Sequence, residues 1–456
     1  MTKSPVSFRG HGKPAEPPPP PPGLAARLAA ATLLADVAAG GHGLEDRLAD
    51  RASGRLSELD PRDHALARSI VTVSLRRLGT LRAALARFLE KGLPKKAVGL
   101  EWTLIVGAAQ ILFLDIPDHA AVDLAVHAAK RDSRTAPFAA LVNAVLRNIA
   151  RARDDVGHPE DPFIDTPAWL GARWRKTYGE ETARAIALAH RAEPTLDITV
   201  RSDPALWAER LGGVVLPTGA VRVGSHAPVP ELPGYAEGEW WVQDAAASLP
   251  ARLLHVEPGE RVADFCAAPG GKTAQLASAG ASVIAIDRSA ERLKRLSANL
   301  ARLNLAADVS VGDVLTANPG LCDAVLLDAP CSATGTIRRH PDVAWVKRSG
   351  DIASLAAVQA KMLDRAVTFL RPGGRIVYCT CSLEPEEGEA QIAALLRRNP
   401  DMVRKPIEAS EIGGLAECLT RDGDMRTLPC HLPSDDTRFA GLDGFFASRL
   451  ERRSRG

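Results

Sequence analysis

The sequence predicts an all-α part followed by an α/β part with a doubly wound, mostly parallel sheet and an antiparallel edge strand. A chain of 456 residues is longer than one ordinary core organises. Residues 24–153 carry apolar side chains at helical spacing, with Gly and Pro mainly at the breaks. From about residue 251, strand-like and helical segments alternate, which is typical of a parallel sheet covered by helices.

The boundaries follow from composition. Residues 1–23, with an unbroken run from Pro17 to Pro22, predict an extended, disordered tail. Residues 24–153 predict a helical bundle, in which Asp60 before Pro61 is an expected N-cap. We interpret residues 154–250 as a linker with a small mixed α/β subdomain. Residues 251–452 form the predicted α/β domain, closed by an antiparallel edge strand at 444–450.

Composition bounds the function only loosely. The formal net charge is +2, which neither supports nor excludes a nucleic-acid partner. Seven cysteines in a large chain, none at CxxC spacing, argue against a disulfide framework and against zinc. The polar N-terminus lacks a signal core, and the apolar stretch near 104–114 is too short to span a bilayer. We expect a monomeric cytosolic protein with reduced thiols, no metal and no membrane contact.

A turn of small residues follows the first strand of the α/β domain and opens a helix. Such residues let the backbone approach a ligand closely, and the helix N-terminus offers unpaired N–H groups. The turn is not a Walker motif, because Cys266 stands where that motif needs a glycine. The alternative is a tight strand–helix turn without a ligand. The turn runs Cys266, Ala267, Ala268, Pro269, Gly270, Gly271 and Lys272.

Carboxylates follow three successive predicted strands. Asp287 and Asp328 end strands, and Asp313 follows another. Because the carboxyl ends of parallel strands meet at one edge, these side chains should converge with the glycine turn. Asp287 suits ribose hydroxyls and Asp313 an adenine amino group, so the pattern predicts a nucleotide-like ligand. A solvated loop carboxylate is the alternative for any one of them.

Two cysteines lie just after strands on the same edge. Cys331 follows Asp328 in DAPCSATGT, and Cys381 lies in TCSLEPEE. Buried packing is the usual role of a cysteine, but neighbouring Pro and Ser indicate partial exposure here. Two thiols and a carboxylate can provide a nucleophile, an acid and a base. The residues alone leave open which cysteine is the nucleophile.

These segments resemble the Nop/Sun family of RNA cytosine-C5 methyltransferases over about residues 236–452. The helical segments 114–130 and 138–149 resemble the NusB-like domain, a known RNA-binding fold. Their order is that of bacterial family members acting on 16S ribosomal RNA. The matching motifs are CAAPGGKT (266–273), Asp287, Asp313, DAPCSATGT (328–336), RRHPDVAW (338–345) and TCSLEPEE (380–387).

The resemblance implies a cofactor and roles for individual residues. S-adenosylmethionine is the implied methyl donor, held by Cys266–Lys272, Asp287, Asp313 and Asp328. Cys381 corresponds to the nucleophile that bonds to C6 of the cytosine, and Cys331 to the cysteine that assists release of the product. Asp328 is expected to act as the acid at N3. Cys379 departs from the family's usual small residue and is expected to pack beneath the site.

The expected partner is RNA, contacted by the NusB-like domain and by the subdomain at 154–250. Arg338, Arg339 and His340 are candidates to clamp phosphates, with a solvated basic turn as an equal alternative. Transfer RNA methylation and a non-catalytic RNA-binding assembly factor remain alternative functions. A DNA cytosine methyltransferase is disfavoured by the NusB-like segments and by the Thr-Cys-Ser thiol.

Overall fold

The computed structural model describes residues 21–40, 43–49, 59–225 and 227–454. The predicted disordered tail therefore lies almost entirely outside the described residues. The N-terminal part is helical, as predicted, and α5 lies at its centre, packed against α1, α3, α4, α6 and α7. Its helices are α1 Leu24–Ala39, α2 Leu44–Ala49, α3 Pro61–Arg76, α4 Leu78–Phe88, α5 Leu100–Phe113, α6 Asp118–Arg131, α7 Ala139–Arg151 and α8 Arg153–Val156.

Local sequence explains how these helices begin and pack. The Asp60 side chain caps α3 by accepting a hydrogen bond from Asp63 N at 2.8 Å, with Pro61 in the first turn. Helix α5 is apolar on nearly all sides because it is enclosed by its neighbours. Its one buried polar side chain, Gln110, donates from Nε2 to Val106 O at 2.7 Å, while its Oε1 has no hydrogen-bond partner in the structure.

A small mixed unit connects the bundle to the second domain. Its sheet has the order β2-β3-β1-β4, and its paired strands are antiparallel. Arg222 and Asp197, on adjacent strands, form a fully buried ion pair with Nε–Oδ1 at 2.7 Å. Its elements are α9 Ala168–Tyr178, α10 Glu180–Arg191, β1 Leu196–Val200, α11 Pro204–Arg210, β2 Val214–Val215, β3 Val221–Val223 and β4 Trp240–Val242.

The C-terminal part is an α/β sheet of order β10-β12-β9-β8-β5-β6-β7, with β11 also paired to β12. Strands β9, β8, β5, β6 and β7 run parallel. The elements are α12 Leu249–Arg252, β5 Arg261–Phe265, α13 Gly271–Ser278, β6 Ser282–Asp287, α14 Ala290–Arg302, β7 Asp308–Val311, β8 Cys322–Asp328, α15 Val343–Val346, α16 Ser349–Ala366, β9 Leu370–Thr380, α17 Glu389–Arg398, β10 Met402–Arg404, β11 Met425–Thr427 and β12 Phe445–Arg452.

The predicted fold class is confirmed, with one correction. Strand β12 is antiparallel, as expected, but it does not lie at the edge of the sheet. It pairs with β9 on one side and with β10 and β11 on the other. Those two flanking strands have three residues each, too few to show an alternating pattern in the sequence.

The helical bundle packs on the segment that follows the first cysteine motif. Asp342 accepts a hydrogen bond from Leu44 N at 2.9 Å, and the Trp345 indole donates to Leu75 O at 2.8 Å. Trp345 therefore packs against the apolar core of the bundle and also against the apolar cluster that includes α9 and α10 of the small unit. This contact fixes the bundle beside the segment that contains His340.

Candidate active site

The glycine turn forms the floor of a cavity of about 970 Å³ at the carboxyl ends of the parallel strands. All seven turn residues, Cys266 to Lys272, line it. Gly270 has φ +106°, and a Cβ there would lie 2.7 Å from Leu296 Cγ. Because both the backbone angle and the space exclude a side chain, glycine is required at this position.

Asp264, at the end of β5, also lines the cavity. Its Oδ2 accepts from Thr273 Oγ1 at 2.6 Å, while Oδ1 has no hydrogen-bond partner in the structure. Burial raises the pKa of this carboxyl to about 7. A buried carboxylate oxygen without a donor fits a ligand that brings a positive group or an N–H. Sequence analysis left Asp264 out of the predicted site, although it opens the same motif.

Asp287 and Asp313 lie at the same edge of the sheet, but they do not line this cavity. Asp287 is buried and accepts from Ala268 N at 3.1 Å and from Ser289 N at 2.9 Å. Asp313 accepts from Leu315 N at 2.9 Å, and its Oδ2 lies 3.5 Å from Arg288 Nε. Asp287 thus ties the glycine turn to β6, and cofactor contacts of both residues stay predictions.

The two reactive-cysteine candidates are adjacent. Cys331 Sγ lies 3.5 Å from Cys381 Sγ, and Cys381 lines the cavity. The hydrogen bond with Cys381, together with burial, raises the pKa of Cys331 well above its ordinary value. Cys331 is therefore a neutral thiol beside the thiol that faces the cavity.

Asp328 contacts both Lys272 of the glycine turn and the thiol of Cys379. Lys272 Nζ lies 2.8 Å from Asp328 Oδ2, and Cys379 Sγ lies 3.4 Å from Asp328 Oδ1. Burial opposes the charge of Lys272, but the Asp328 carboxylate more than compensates, so its pKa is raised. Cys379 is fully buried, and burial raises its pKa. The expected packing role of Cys379 agrees with this placement.

The three basic residues after Cys331 have different surroundings. Arg338 is 3% exposed, close to Asp244 and Asp443, and its Nη1 donates to Ala440 O at 3.2 Å. Because this guanidinium lies beside two buried carboxylates and does not line the cavity, the expected role of Arg338 is corrected from a phosphate clamp to an internal ion pair. Arg339 and His340 do line the cavity. Arg339 Nε lies 2.7 Å from Asp443 Oδ2, and RNA contacts of Arg339 and His340 stay predictions.

Glu387 is a buried carboxylate behind the thiols that sequence analysis missed. It accepts from Ser332 N at 2.9 Å and from Ser382 Oγ at 2.6 Å. The only signal in the sequence was its place inside TCSLEPEE, where it resembles a surface glutamate beside Glu386.

Among the residues that the structure describes, no three His, Cys, Asp or Glu side chains are grouped so as to hold a metal. Within the same residues, no helix combines the length and the apolar character needed to cross a membrane.

A parallel α/β sheet with a glycine turn after β5, carboxylates after β6 and β7, and an adjoining cavity defines an S-adenosylmethionine-dependent methyltransferase. Two comparisons of sequence make this more specific. Residues 251–451 match the family model "16S rRNA methyltransferase RsmB/F", and residues 24–151 match the NusB family. The chain belongs to the RsmB/F methyltransferase family, with a NusB domain ahead of the catalytic domain.

Individual relatives agree over most of the chain. Ribosomal RNA small subunit methyltransferase B of Vibrio cholerae is 37% identical over 396 residues, covering 82% of this chain and 90% of the relative. The protein of the same name from Xanthomonas campestris is 37% identical over 408 residues, covering 85% and 91%. The crystal structure of PH0851 shares the fold, with a TM-score of 0.71, 22% identity, and coverage of 95% and 99%.

Proposed function

We propose that the protein transfers a methyl group from S-adenosylmethionine to C5 of a cytosine in 16S ribosomal RNA. The observation that carries this proposal is the thiol pair, 3.5 Å apart, at a cavity shared with the glycine turn. Methyl transfer to nitrogen or oxygen needs no thiolate, whereas C5 of cytosine becomes nucleophilic only after a nucleophile adds to C6. The names of the relatives support small-subunit ribosomal RNA as the substrate.

The cavity contains groups suited to the cofactor. The turn from Cys266 to Lys272 provides close backbone approach, and the unpartnered Oδ1 of Asp264 suits a positively charged group. S-adenosylmethionine supplies an electrophilic methyl group when it is bound. The protein's own task is to orient the base so that C5 faces that methyl group.

The reaction begins with bond formation at Cys381. Its thiolate adds to C6 of the cytosine, and as electron density moves into the ring N3 accepts a proton that comes from the Lys272 ammonium through the Asp328 carboxylate, 2.8 Å away. The neutral enamine then carries its density at C5. The new C–C bond would form there as the methyl group leaves the sulfur of the cofactor, and N3 gives its proton back to the Asp328–Lys272 pair.

Release of the product needs a base, and Cys331 is the thiol placed to become one. Its pKa is raised first by the hydrogen bond with Cys381 and then by burial. Bonding of Cys381 to C6 removes the first contribution, and Cys331 releases its proton to solvent before it acts. The Cys331 thiolate then removes the C5 proton, the C5=C6 double bond re-forms, and the C6–S bond breaks to restore the Cys381 thiolate.

Two cysteine variants test these roles. Cys381→Ala should abolish both methylation and the covalent adduct, while Cys331→Ala should accumulate an RNA–protein adduct that survives a denaturing gel. Cys430→Ala, which changes a half-buried thiol that does not line the cavity, is the matched control and should retain activity. The reverse pattern of adducts would exchange the two roles.

The substrate is tested separately. Bisulfite sequencing of total RNA from a deletion strain and its parent should show one cytosine of 16S ribosomal RNA that loses protection in the deletion. If a cytosine of a transfer RNA loses protection instead, the substrate is transfer RNA and not 16S ribosomal RNA. Unchanged RNA, together with no turnover by the purified protein, would favour the non-catalytic assembly factor.

A further inference from the structure

One buried carboxylate joins the two loops that carry the reactive thiols. Ser332 and Ser382 each follow a cysteine of the pair, and both hydroxyls donate to Glu387 Oε2, at 2.5 and 2.6 Å. Ser332 N also donates to Oε1 at 2.9 Å. The Glu387 side chain is fully buried, so water does not compete for these bonds.

Glu387 is itself fixed by rigid elements. Gln359, on α16, donates from Nε2 to Glu387 Oε1 at 3.0 Å. The Tyr378 hydroxyl, on β9, donates to the main-chain oxygen of Glu387 at 2.8 Å. The carboxylate therefore accepts four donated hydrogens from three segments of the chain. A neutral amide has a single acceptor oxygen and cannot reproduce this pattern.

We propose that Glu387 is a positioning residue that sets the distance between Cys331 and Cys381. The role rests on the proposed function, since the spacing matters only if both thiols act on one base. Glu387 does not line the cavity, so it acts through the two serine-containing loops. Its negative charge also contributes to the raised pKa of Cys331, after the hydrogen bond with Cys381 and burial.

Glu387→Gln and its neighbour Glu386→Gln form a matched pair. Glu386 is half exposed and pairs with Arg173 at 2.7 Å instead of with the thiol loops. We expect Glu387→Gln to lower kcat by about 100-fold with little change in KM for S-adenosylmethionine, because displaced reacting groups lose rate rather than ground-state binding. Glu386→Gln should keep the wild-type kcat. Wild-type kcat in Glu387→Gln would overturn the proposal.

A second readout measures the thiol spacing without catalysis. Phenylarsine oxide condenses with two neighbouring thiols, forming two As–S bonds and releasing water, and so should protect Cys381 from iodoacetamide in the wild type. Glu387→Gln should lose most of that protection, and unchanged protection would overturn the positioning role. If Glu387→Gln fails to fold, Ser382→Ala can be used in its place, because it removes one of the same hydrogen bonds to Glu387. Failure of the proposed function would instead appear as absence of the RNA adduct in Cys331→Ala.

An independent observation concerns Arg76, the last residue of α3. It is 7% exposed, and its Nη1 donates to Arg338 O at 3.3 Å. Among the described residues, no carboxylate oxygen lies within 4.0 Å of its guanidinium nitrogens. The nearby Arg77 and Arg191, by contrast, both face Asp165, with N–O distances of 3.7 and 3.0 Å.

Arg76 borders a cavity of about 290 Å³ between the bundle and the mixed unit. Arg77, Arg191, His158 and the hydroxyl-bearing Ser69 and Thr72 are among the other lining residues. Burial lowers the pKa of Arg76 to about 10, although Glu193, the single carboxylate in the described lining, acts in the opposite direction. A buried charge without a partner is unfavourable, and a bound anion would remove that cost.

We infer that this cavity binds a backbone phosphate of the RNA substrate, which deepens the proposed function. Its position supports a phosphate that belongs to RNA, because Arg76 contacts the main chain of Arg338. The next two residues, Arg339 and His340, line the catalytic cavity. A strand held at Arg76 would then enter the protein beside the base-binding site.

Binding of a 16S ribosomal RNA transcript, measured by anisotropy at several KCl concentrations without a methyl donor, tests this site. Arg76→Gln should weaken binding and reduce the slope of log Kd against log salt by about 1. Arg68→Gln, on the same helix with its side chain 53% exposed and paired to Glu45, is the control and should change the slope less. Equal changes of the slope in Arg76→Gln and Arg68→Gln would overturn the proposed phosphate site. If Arg76→Gln unfolds, Thr72→Glu places a negative charge in the same cavity and should weaken RNA binding, and unchanged binding there would contradict the site. Because no methylation is measured, this outcome is separate from the test of catalysis.

Discussion

Lys272 and Asp328 link the glycine turn to the first cysteine motif, with Nζ and Oδ2 2.8 Å apart. The pair is only partly solvent-exposed, and Lys272 also lies over the Phe445 ring, 5.0 Å from its centroid. One side chain thus contacts the end of β8, the glycine turn and β12.

Lys272→Ala should lower the methyl-transfer rate by roughly 100-fold, because Asp328 loses both its orienting partner and its proton source. Single-turnover methylation of a ribosomal RNA transcript measures this rate. Lys294→Ala, which removes an exposed lysine of α14, is the control and should be active. A Lys272→Ala protein with wild-type rate would exclude the lysine from proton transfer.

Gly270→Ala should weaken S-adenosylmethionine binding by more than tenfold, because the added Cβ meets Leu296 Cγ at 2.7 Å and the turn must shift. Gly259→Ala is a close control: φ there is +85°, and nothing lies within 4 Å of its Cβ position. Both variants carry the strain of about 1 kcal/mol for a left-handed alanine. Calorimetric titration of both variants with S-adenosylmethionine separates the steric effect at Gly270 from the backbone strain that the two variants share. Equal affinities of the two variants for the cofactor would contradict the steric effect.

Arg338→Met should destabilise the fold by about 2 kcal/mol, because it removes one of the two arginines beside the buried Asp244 and Asp443 and leaves Arg339 as their neighbouring cation. Urea unfolding followed by circular dichroism measures the loss. Arg348→Met, which changes an exposed arginine, should stay within about 0.5 kcal/mol of the wild type. An Arg338→Met protein as stable as the wild type would contradict the internal ion-pair role.

His190 should make stability fall in mild acid. Burial, and then the charges of Arg338 and Arg76, lower its pKa from 6.5 to about 3. The unfolded chain binds a proton near pH 6.5 and the folded one does not, so stability is full above 6.5 and falls as pH approaches 3. The expected slope from this residue is at most about 1.4 kcal/mol per pH unit. Urea unfolding of the wild type and of His190→Gln at pH 7.5 and pH 5 isolates the contribution of His190. If both proteins lose the same free energy of unfolding between the two pH values, His190 is not the cause of the loss.

The sequence predicts those parts of the site that depend on residues close together along the chain. The glycine turn and the Cys331 and Cys381 loops lie directly after strands, so local pattern was enough to place them on one edge. Cofactor roles for Asp287 and Asp313 remain predictions, because the structure shows them bonded to nearby main chain instead of lining the cavity.

Burial was the property that local pattern could not predict. Arg338 resembles its neighbour Arg339 in the sequence, and both contact Asp244 and Asp443, which come from segments about 100 residues away on either side, yet the side chain of Arg338 is 3% exposed and that of Arg339 is 33% exposed. Glu387 similarly resembles Glu386, and only the packing of α16 against the thiol loops separates the two. Such differences arise from long-range contacts, which spacing along the chain does not encode.

Strand β12 has a consequence for the order of assembly. Its residues pair with β9, the strand that leads into Cys381, and Phe445 contacts Lys272. A ribosome must therefore translate past residue 452 before the thiol loop can be braced. An enzyme of this design becomes competent only after nearly all of its catalytic domain has emerged, so nascent fragments should be inert towards the ribosomes that synthesise them.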